Sequence, residues 1–221
     1  MELWLDTTDY TAIKNASSLG ILTGVTTNPS ILSQANDYPE NVLANLLEIQ
    51  SGYVAAQVTA NNLDGMLEQA IKLSALSNRI IIKIPASQDG FNAIALLKQD
   101  GIPTLATTIF DAKQIIFSSI AGAAYAAPYL GRLPGNQEST LADMQAIIEK
   151  QKYPIKIMAA AIRSTEQFVD CARLGVSAIT LPLNVYEELF LPSNYVAESL
   201  HKFALDWVAN PQTQQSDLFI C

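Results

Sequence analysis

Residues 79–85 read RIIIKIP, a short apolar run that contains a lysine and ends at a proline. An uninterrupted run of β-branched side chains is typical of a parallel strand covered on both faces. Burying the ammonium group of Lys83 without a partner is costly, so the group is expected to pair or to lose its proton. A neutral lysine amine is a nucleophile towards carbonyl groups. The alternative is a strand-end lysine whose stem lies on apolar surface and whose ammonium reaches water.

Strand-like runs alternate with helix-like runs on both sides of this stretch. The predicted strands are residues 2–6, 21–27, 53–58, 79–85, 103–109, 124–130, 155–161 and 177–182, and a last helix is predicted at 192–209. Eight strand–helix pairs predict a (β/α)₈ TIM barrel, with a doubly wound open sheet as the alternative. No linker divides the sequence, so we expect one barrel domain over residues 1–221, including a tail at 210–221.

The composition argues against several classes of protein. Of the 221 residues, 49% are hydrophobic and 15% are charged, and the formal net charge is −8. This acidity argues against a general nucleic-acid-binding surface, and the low charge predicts a large core or surface buried between subunits. No apolar run approaches the roughly 20 residues of a membrane span. With two cysteines and no visible signal peptide, a cytoplasmic protein without membrane contact is expected.

Polar residues lie in or just beyond six of the predicted strands. They are Asp6, Asn28, Gln57, Lys83, Thr107 and Tyr129. Because the C-terminal ends of barrel strands surround one mouth, these six side chains are expected to converge there. Each also has a structural interpretation when taken alone: Asp6 as a helix cap, Asn28 as a turn residue before proline, and Tyr129 as an interface aromatic, for example.

Together these side chains suit Schiff-base catalysis on a ketone. Lys83 would condense with the carbonyl to a cationic imine, and cleavage of the neighbouring C–C bond would leave an enamine. We expect Asp6 and Asn28 to hold hydroxyls of the donor, with Asp6 also stabilising the iminium charge. We expect Tyr129 to transfer protons through a water held by Gln57 and Thr107. This chemistry requires no metal and no cofactor.

Several motifs resemble those of the transaldolase family, most closely its small-subunit branch, which contains fructose-6-phosphate aldolase. They are LWLDT at 3–7, VTTNPS at 25–30, AQV at 56–58, IKIP at 82–85, GIPTLAT at 101–107, APY at 127–129 and ITLPL at 179–183. The resemblance implies a class I aldolase or transaldolase that acts on a sugar or sugar phosphate. It implies that Lys83 forms the Schiff base and that Asp6 and Asn28 bind the donor, with Thr26 as a further substrate-binding candidate.

Positions 57 and 129 distinguish the branches of the family that the sequence resembles. Transaldolases proper carry glutamate where Gln57 stands and usually phenylalanine where Tyr129 stands, whereas the aldolase branch carries glutamine and tyrosine, as here. Without a carboxylate at position 57, the tyrosine hydroxyl must serve the proton transfers. We therefore predict cleavage and formation of fructose 6-phosphate or a related ketose, from a dihydroxyacetone-type donor and an aldehyde such as glyceraldehyde 3-phosphate. The alternatives are transfer of dihydroxyacetone between sugar phosphates, and a catalytically silent barrel that binds a sugar or serves as a scaffold.

The sequence departs from the family pattern where the phosphate of the acceptor is expected to bind. Ala161 stands where the family usually has a serine, and the loop after Arg132 is shorter. Arg132 keeps the place of the phosphate-binding arginine. Arg163 is either a second cation for the substrate or a solvated residue before a helix capped by Ser164. Weak phosphate binding, or an acceptor without phosphate, is therefore expected.

The predicted last helix carries an apolar stripe of Leu200, Phe203, Ala204 and Trp207. One interpretation is that it closes the bottom of its own barrel. The resemblance implies instead that it packs on a neighbouring subunit, in a homo-oligomer built as a pentamer or as a decamer of two pentamers. The tail ends with the apolar residues 218–221, for which the sequence indicates no partner.

Overall fold

Eight parallel strands form a closed barrel in the computed structural model, which describes residues 1–214. Each strand pairs with its neighbours in sequence, and β1 closes the barrel against β8. The strands are β1 Glu2–Asp6, β2 Leu22–Thr26, β3 Tyr53–Gln57, β4 Ile80–Pro85, β5 Thr104–Ile109, β6 Tyr125–Pro128, β7 Lys156–Ala159 and β8 Ala178–Leu181. The TIM barrel predicted from the alternating pattern is confirmed, and the open-sheet alternative is wrong.

Helices alternate with the strands along the chain. They are α1 Tyr10–Ser18, α2 Pro29–Leu32, α3 Pro39–Ile49, α4 Leu63–Ser74, α5 Gln88–Gln99, α6 Ala112–Ala121, α7 Gln137–Gln151, α8 Thr165–Arg173, α9 Leu183–Glu188, α10 Asn194–Ala209 and α11 Pro211–Gln214. Polar side chains cap many of them; Ser164, for example, accepts from Gln167 N at the start of α8. In the described part of the chain, no helix combines the length and hydropathy needed to cross a bilayer.

Strand β6 ends earlier than the predicted range of 124–130. It stops at Pro128, and Tyr129 follows as an isolated parallel bridge to Ala160. The chain then enters a 3₁₀ turn at Leu130–Arg132, in which Arg132 N donates to Tyr129 O at 2.8 Å. This tight turn bends the backbone away after one bridging residue, so Tyr129 lies just beyond the strand instead of within it.

One cluster of buried side chains fills the middle of the barrel. It comprises Trp4, Ala55, Ile81, Leu105, Tyr125, Ala127, Met158, Ala160 and Ala178. Gly24 on β2 leaves room for the indole of Trp4, because a Cβ there would lie 2.6 Å from the ring. Successive side chains of a strand alternate between its faces, so a residue two positions further on points the same way. The residues two positions beyond Trp4, Ala55 and Ile81 are polar, and they stand above the apolar layer at the C-terminal mouth.

The carboxylate of Glu2, at the opposite, N-terminal end of the strands, is the centre of a group of hydrogen-bonded side chains. Glu2 Oε2 accepts from Tyr125 Oη at 2.9 Å and from Trp4 Nε1 at 3.2 Å, and Glu2 Oε1 accepts from Lys156 Nζ at 2.5 Å. Burial alone would raise the pKa of Glu2, but hydrogen bonds from Lys156, Tyr125 and Trp4 outweigh it and lower the pKa. Burial and the neighbouring Glu2 carboxylate raise the pKa of Tyr125.

Removing the negative charge of Glu2 is expected to destabilise the barrel in a pH-dependent way. Glu2→Gln should lower the free energy of unfolding by about 1–3 kcal/mol near neutral pH, because the partners of the carboxylate lose a charged acceptor. The Lys156 contribution is small, since that side chain is half exposed. The folded-state pKa of Glu2 lies below its ordinary value of 4.5, so the contribution is present above that pH and is lost as pH falls through the folded pKa. Urea titrations of both proteins at several pH values test this, and a difference independent of pH would contradict it.

The C-cap residue that follows helix α7 is a lysine in a left-handed conformation. Lys152 has φ 54 and ψ 38, and the N–H of Tyr153 donates to Ile148 O at 3.1 Å. Lys152→Gly is expected to raise the free energy of unfolding by about 0.5–1 kcal/mol, since glycine adopts this conformation without a Cβ clash. Lys152→Ala is the matched control: it removes the same charge but keeps the strain, so it should give no gain. Thermal unfolding of the three proteins checks the result, and equal gains in both variants would point to charge instead.

The chain divides into two compact units, with the boundary between Tyr186 and Glu187. In the second unit, α10 begins at Asn194, two residues later than predicted, with Ser193 as its N-cap. None of its residues is buried, and Leu200 and Phe203 are 62% and 63% exposed. The apolar tail residues 218–221 lie outside the described residues, and a single domain over the whole chain stays a prediction.

Candidate active site

The C-terminal ends of the strands surround a cavity of about 560 Å³. Seven of the nine side chains proposed from the sequence line it, namely Asp6, Thr26, Asn28, Gln57, Lys83, Tyr129 and Arg132. Thr107 is fully buried and contacts the cavity through Tyr129. Arg163 does not line the cavity; its side chain lies over Gly131, where a Cβ would be 2.7 Å from Arg163 Nε. Barrel closure therefore brings together residues that lie far apart in the sequence.

Lys83 is the buried amine of this cavity. The residue is only 5% exposed, so the interpretation that its ammonium reaches water at the strand end is wrong. Its Nζ donates to Thr27 O at 2.8 Å. Burial lowers the pKa of Lys83, and the negative charge of Asp6 opposes that shift in part. A lowered pKa increases the fraction of neutral amine, which is the form that attacks a carbonyl.

Asp6 is held by a short chain of hydroxyl groups. Thr26 Oγ1 donates to Asp6 Oδ1 at 2.6 Å and lies 2.7 Å from Thr180 Oγ1. Both threonines are almost completely buried. The interpretation of Asp6 as a helix cap is wrong, since Asp9 caps α1 by accepting from Ala12 N. The Asp6 carboxylate is thus oriented towards the cavity and acts on the charge of Lys83.

Tyr129 forms a direct hydroxyl pair with Thr107. The two oxygens lie 2.9 Å apart. The ring of Tyr129 contacts Phe110 edge-on, with centroids 5.5 Å apart, and Arg132 Cζ lies 5.5 Å from its centroid. These contacts fix the ring, so the position of its hydroxyl is set by packing as well as by Thr107. The sequence predicts that Tyr129 transfers protons through a water held by Gln57 and Thr107, whereas the structure shows Tyr129 and Thr107 in direct contact.

Gln57 and Asn28 present amide groups to the same cavity. Gln57 Oε1 is buried and has no hydrogen-bond partner among the described residues. Asn28 Oδ1 accepts from Ile31 N at 3.0 Å and caps α2, so Asn28 has a structural role at the start of this helix, directly before Pro29. Within residues 1–214, no hydrogen-bond partner is found for the Asn28 amide nitrogen. Since an uncompensated buried polar atom is costly, Gln57 is poised to accept from a substrate or a water.

Two residues on the rim of the cavity adopt left-handed backbone conformations although neither is glycine. They are Thr108, with φ 57, and Ala161, with φ 56. Thr108 lies where the register of β5 shifts between Ala106 and Ile109. Gln114 Nε2 donates to Thr108 O at 3.1 Å and to Ala86 O at 3.0 Å, which ties the two neighbouring loops together. Strain of this kind is often found at functional sites, where the surrounding structure enforces it.

Thr180 and Thr108 line the cavity but were not among the side chains proposed from the sequence. A signal for Thr180 is present in the strand pattern, because it stands two residues after the inward-facing Ala178 on β8. The left-handed conformation of Thr108 has no comparable sequence signal, since threonine rarely adopts it.

Comparison with known proteins assigns the chain to a family. A family model described as Transaldolase/Fructose-6-phosphate aldolase matches residues 3–216, nearly the whole chain. The chain belongs to this family. Transaldolase/fructose-6-phosphate aldolase members are enzymes with a class I aldolase-type reaction on sugar phosphates, so the resemblance seen in the sequence motifs is confirmed.

Curated relatives of the chain carry the name "Probable transaldolase". The protein from Coprothermobacter proteolyticus is 36% identical over 214 residues, covering 96% of this chain and 98% of its own length. That from Carboxydothermus hydrogenoformans is 34% identical, covering 95% and 99%. That from Anaeromyxobacter sp. is 32% identical, covering 96% and 100%. These names support the family but not the specific aldolase branch.

A solved structure of a mandelate oxidase mutant with a monooxide FMN adduct is similar in fold. It superposes with a TM-score of 0.58 at 12% sequence identity, covering 82% of this chain and 64% of that one. At this identity the likeness concerns the barrel architecture of the transaldolase/fructose-6-phosphate aldolase chain and carries nothing about its chemistry.

Proposed function

We propose that the chain is a Schiff-base aldolase that cleaves and forms fructose 6-phosphate or a related ketose. The observation that carries this proposal is the Tyr129 hydroxyl, which is paired with Thr107 and lines the same cavity as buried Lys83. An amide, Gln57, occupies the position of the transaldolase carboxylate in that cavity. The donor is of the dihydroxyacetone type and the acceptor is an aldehyde such as glyceraldehyde 3-phosphate.

In the proposed reaction, the neutral Lys83 amine attacks the ketose carbonyl, and the adduct takes up one proton from solvent and loses water, which produces an iminium ion. The C3–C4 bond then breaks as the C4 hydroxyl loses its proton, the aldehyde departs, and the bonding electrons form an enamine. The Tyr129 hydroxyl moves that proton to the enamine carbon, and hydrolysis of the iminium ion releases the donor. Asp6 stabilises the positive charge of the iminium ion, and Asn28 and Thr26 bind the donor.

The alternative is a transaldolase, which passes the enamine to a second aldose phosphate without releasing free ketone. The names of the curated relatives favour it. Incubation with fructose 6-phosphate alone separates the two. An aldolase releases glyceraldehyde 3-phosphate over many turnovers without a second sugar, whereas a transaldolase releases more than one equivalent per active site only when an aldose phosphate acceptor is added. Absence of product under both conditions, in folded protein, would instead favour the silent barrel.

We propose that Arg132 binds the phosphate of the substrate weakly. It lines the cavity, is exposed and lies against Tyr129. Ala161, also on the cavity wall, offers no hydroxyl to a phosphate oxygen. Binding of a phosphate by Arg163 stays a prediction, since that side chain lies over Gly131 outside the lining. Acceptors with and without phosphate are therefore expected to differ little in KM.

We also propose that the protein is a cytoplasmic homo-oligomer, a pentamer or decamer in which α10 packs on a neighbouring copy. The exposed apolar side chains of α10 support this, because such a surface is normally covered. Light scattering with size-exclusion chromatography measures the number of subunits. A monomer at all concentrations would contradict the proposal.

A further inference from the structure

The hydroxyl chain beside Asp6 has only one possible direction. Thr26 has a single hydroxyl proton, and it is donated to Asp6 Oδ1 at 2.6 Å. The contact of 2.7 Å between Thr26 Oγ1 and Thr180 Oγ1 must therefore use the proton of Thr180. The chain runs from Thr180 to Thr26 to the Asp6 carboxylate.

This direction leaves Thr180 Oγ1 as an acceptor without a donor. Its own proton is committed to Thr26, and no described residue donates to its lone pairs. The side chain is 3% exposed, yet it lines the cavity that contains Lys83 and Asp6. Because the chain ends on a negative charge, each hydroxyl is polarised towards that charge, which makes Thr180 Oγ1 a better acceptor.

We infer that Thr180 is a substrate-binding residue that accepts a hydrogen bond from a hydroxyl group of the ketose donor. The inference rests on the proposed Schiff-base function, since it assigns a contact in the same cavity. It adds a hydroxyl-recognition group on β8, whereas Gln57, Lys83 and Thr107 lie on β3, β4 and β5. A ketone without hydroxyl groups gains nothing from this contact.

The experiment measures borohydride trapping of three ketones on Lys83: dihydroxyacetone, hydroxyacetone and acetone. Thr180→Val removes the hydroxyl and keeps the shape of the side chain. For this variant we expect the ketone concentration at half-maximal trapping to rise about tenfold for dihydroxyacetone, the effect of one lost hydrogen bond to a polarised group. For acetone we expect a change of less than about twofold, since acetone has no hydroxyl to donate.

A second pair of variants keeps the test independent of folding. Thr180→Ser and Thr180→Ala both lack the methyl group and differ only in the hydroxyl. The serine variant should retain the preference for dihydroxyacetone over acetone, and the alanine variant should lose it. Circular dichroism and thermal unfolding check that all variants are folded.

Different outcomes overturn different claims. Equal losses for all three ketones would show that Thr180 acts through packing or through the effect of Asp6 on the iminium charge, and would overturn this inference alone. An unchanged dihydroxyacetone response in the valine variant would do the same. Failure of the unaltered protein to trap any ketone would overturn the proposed function and this inference together.

Discussion

Replacement of Lys83 by methionine is expected to abolish the borohydride-stable adduct with dihydroxyacetone and to lower ketose cleavage by at least about 10⁴-fold. The reason is that no other amine in the described residues lies in the cavity. The variant should remain folded, since Lys83 is buried with a lowered pKa and a neutral, unbranched side chain of similar length removes the cost of burying charge. Peptide mapping of the trapped protein locates the adduct.

A control variant and a pH profile test the assignment of the adduct to Lys83. Lys72→Met removes an exposed lysine paired with Glu68 and should leave trapping unchanged. The pH profile of trapping in the unaltered protein should rise to its plateau below the ordinary lysine pKa of about 10.4, because burial lowers the pKa of Lys83. An adduct that persists in Lys83→Met, or a midpoint at the ordinary lysine value, would contradict the assignment.

Tyr129→Phe is expected to lower ketose cleavage by about 10²–10⁴-fold while imine trapping continues. The substitution removes the hydroxyl that moves the proton but keeps the ring, which Phe110 and Arg132 hold in place. Thr107→Val removes the partner hydroxyl and should have a smaller effect of about tenfold, since Tyr129 remains. Rates of cleavage and of trapping, measured side by side, separate proton transfer from imine formation.

A second substitution tests whether the amide at position 57 defines the branch. Gln57→Glu in the Tyr129→Phe background places a carboxylate in the cavity, where it is able to take up the lost proton-transfer role. We expect partial recovery of activity, with transfer to an aldose phosphate favoured over release of the donor. Full cleavage activity in Tyr129→Phe alone would show that the proton is moved by another route.

The barrel was predictable because its signals are local. The alternation of apolar strands with amphipathic helices is recognisable in short segments of the sequence. The clearest case is β4, with its run of isoleucines around Lys83. The convergence of Asp6, Gln57 and Lys83 was also predictable, since each lies at the C-terminal end of a parallel strand. Barrel closure then makes distant positions neighbours without further information.

The remaining features depend on contacts that no local pattern contains. Thr180 reaches Thr26 across a separation of 154 residues, and only the closure of β8 against β1 brings them together. Tyr129 meets Thr107 directly because a register shift in β5 and a tight turn after β6 place the two hydroxyls 2.9 Å apart. Arg163 comes after β7 in the sequence, but its side chain lies over Gly131 and not in the cavity lining. The charge of the residue alone does not predict this packing.

The layered barrel interior has a consequence for how this enzyme family can change over time. The reacting side chains stand one inward-facing position above a layer of aliphatic and aromatic side chains, and Glu2 with its hydrogen-bond partners lies at the far end of the strands. Mutations that alter the mouth therefore leave this deeper layer and the contacts of Glu2 in place. We therefore expect that a lineage, or a laboratory selection, exchanges mouth residues one at a time while the barrel stays folded, which brings new acceptor preferences within reach of single substitutions.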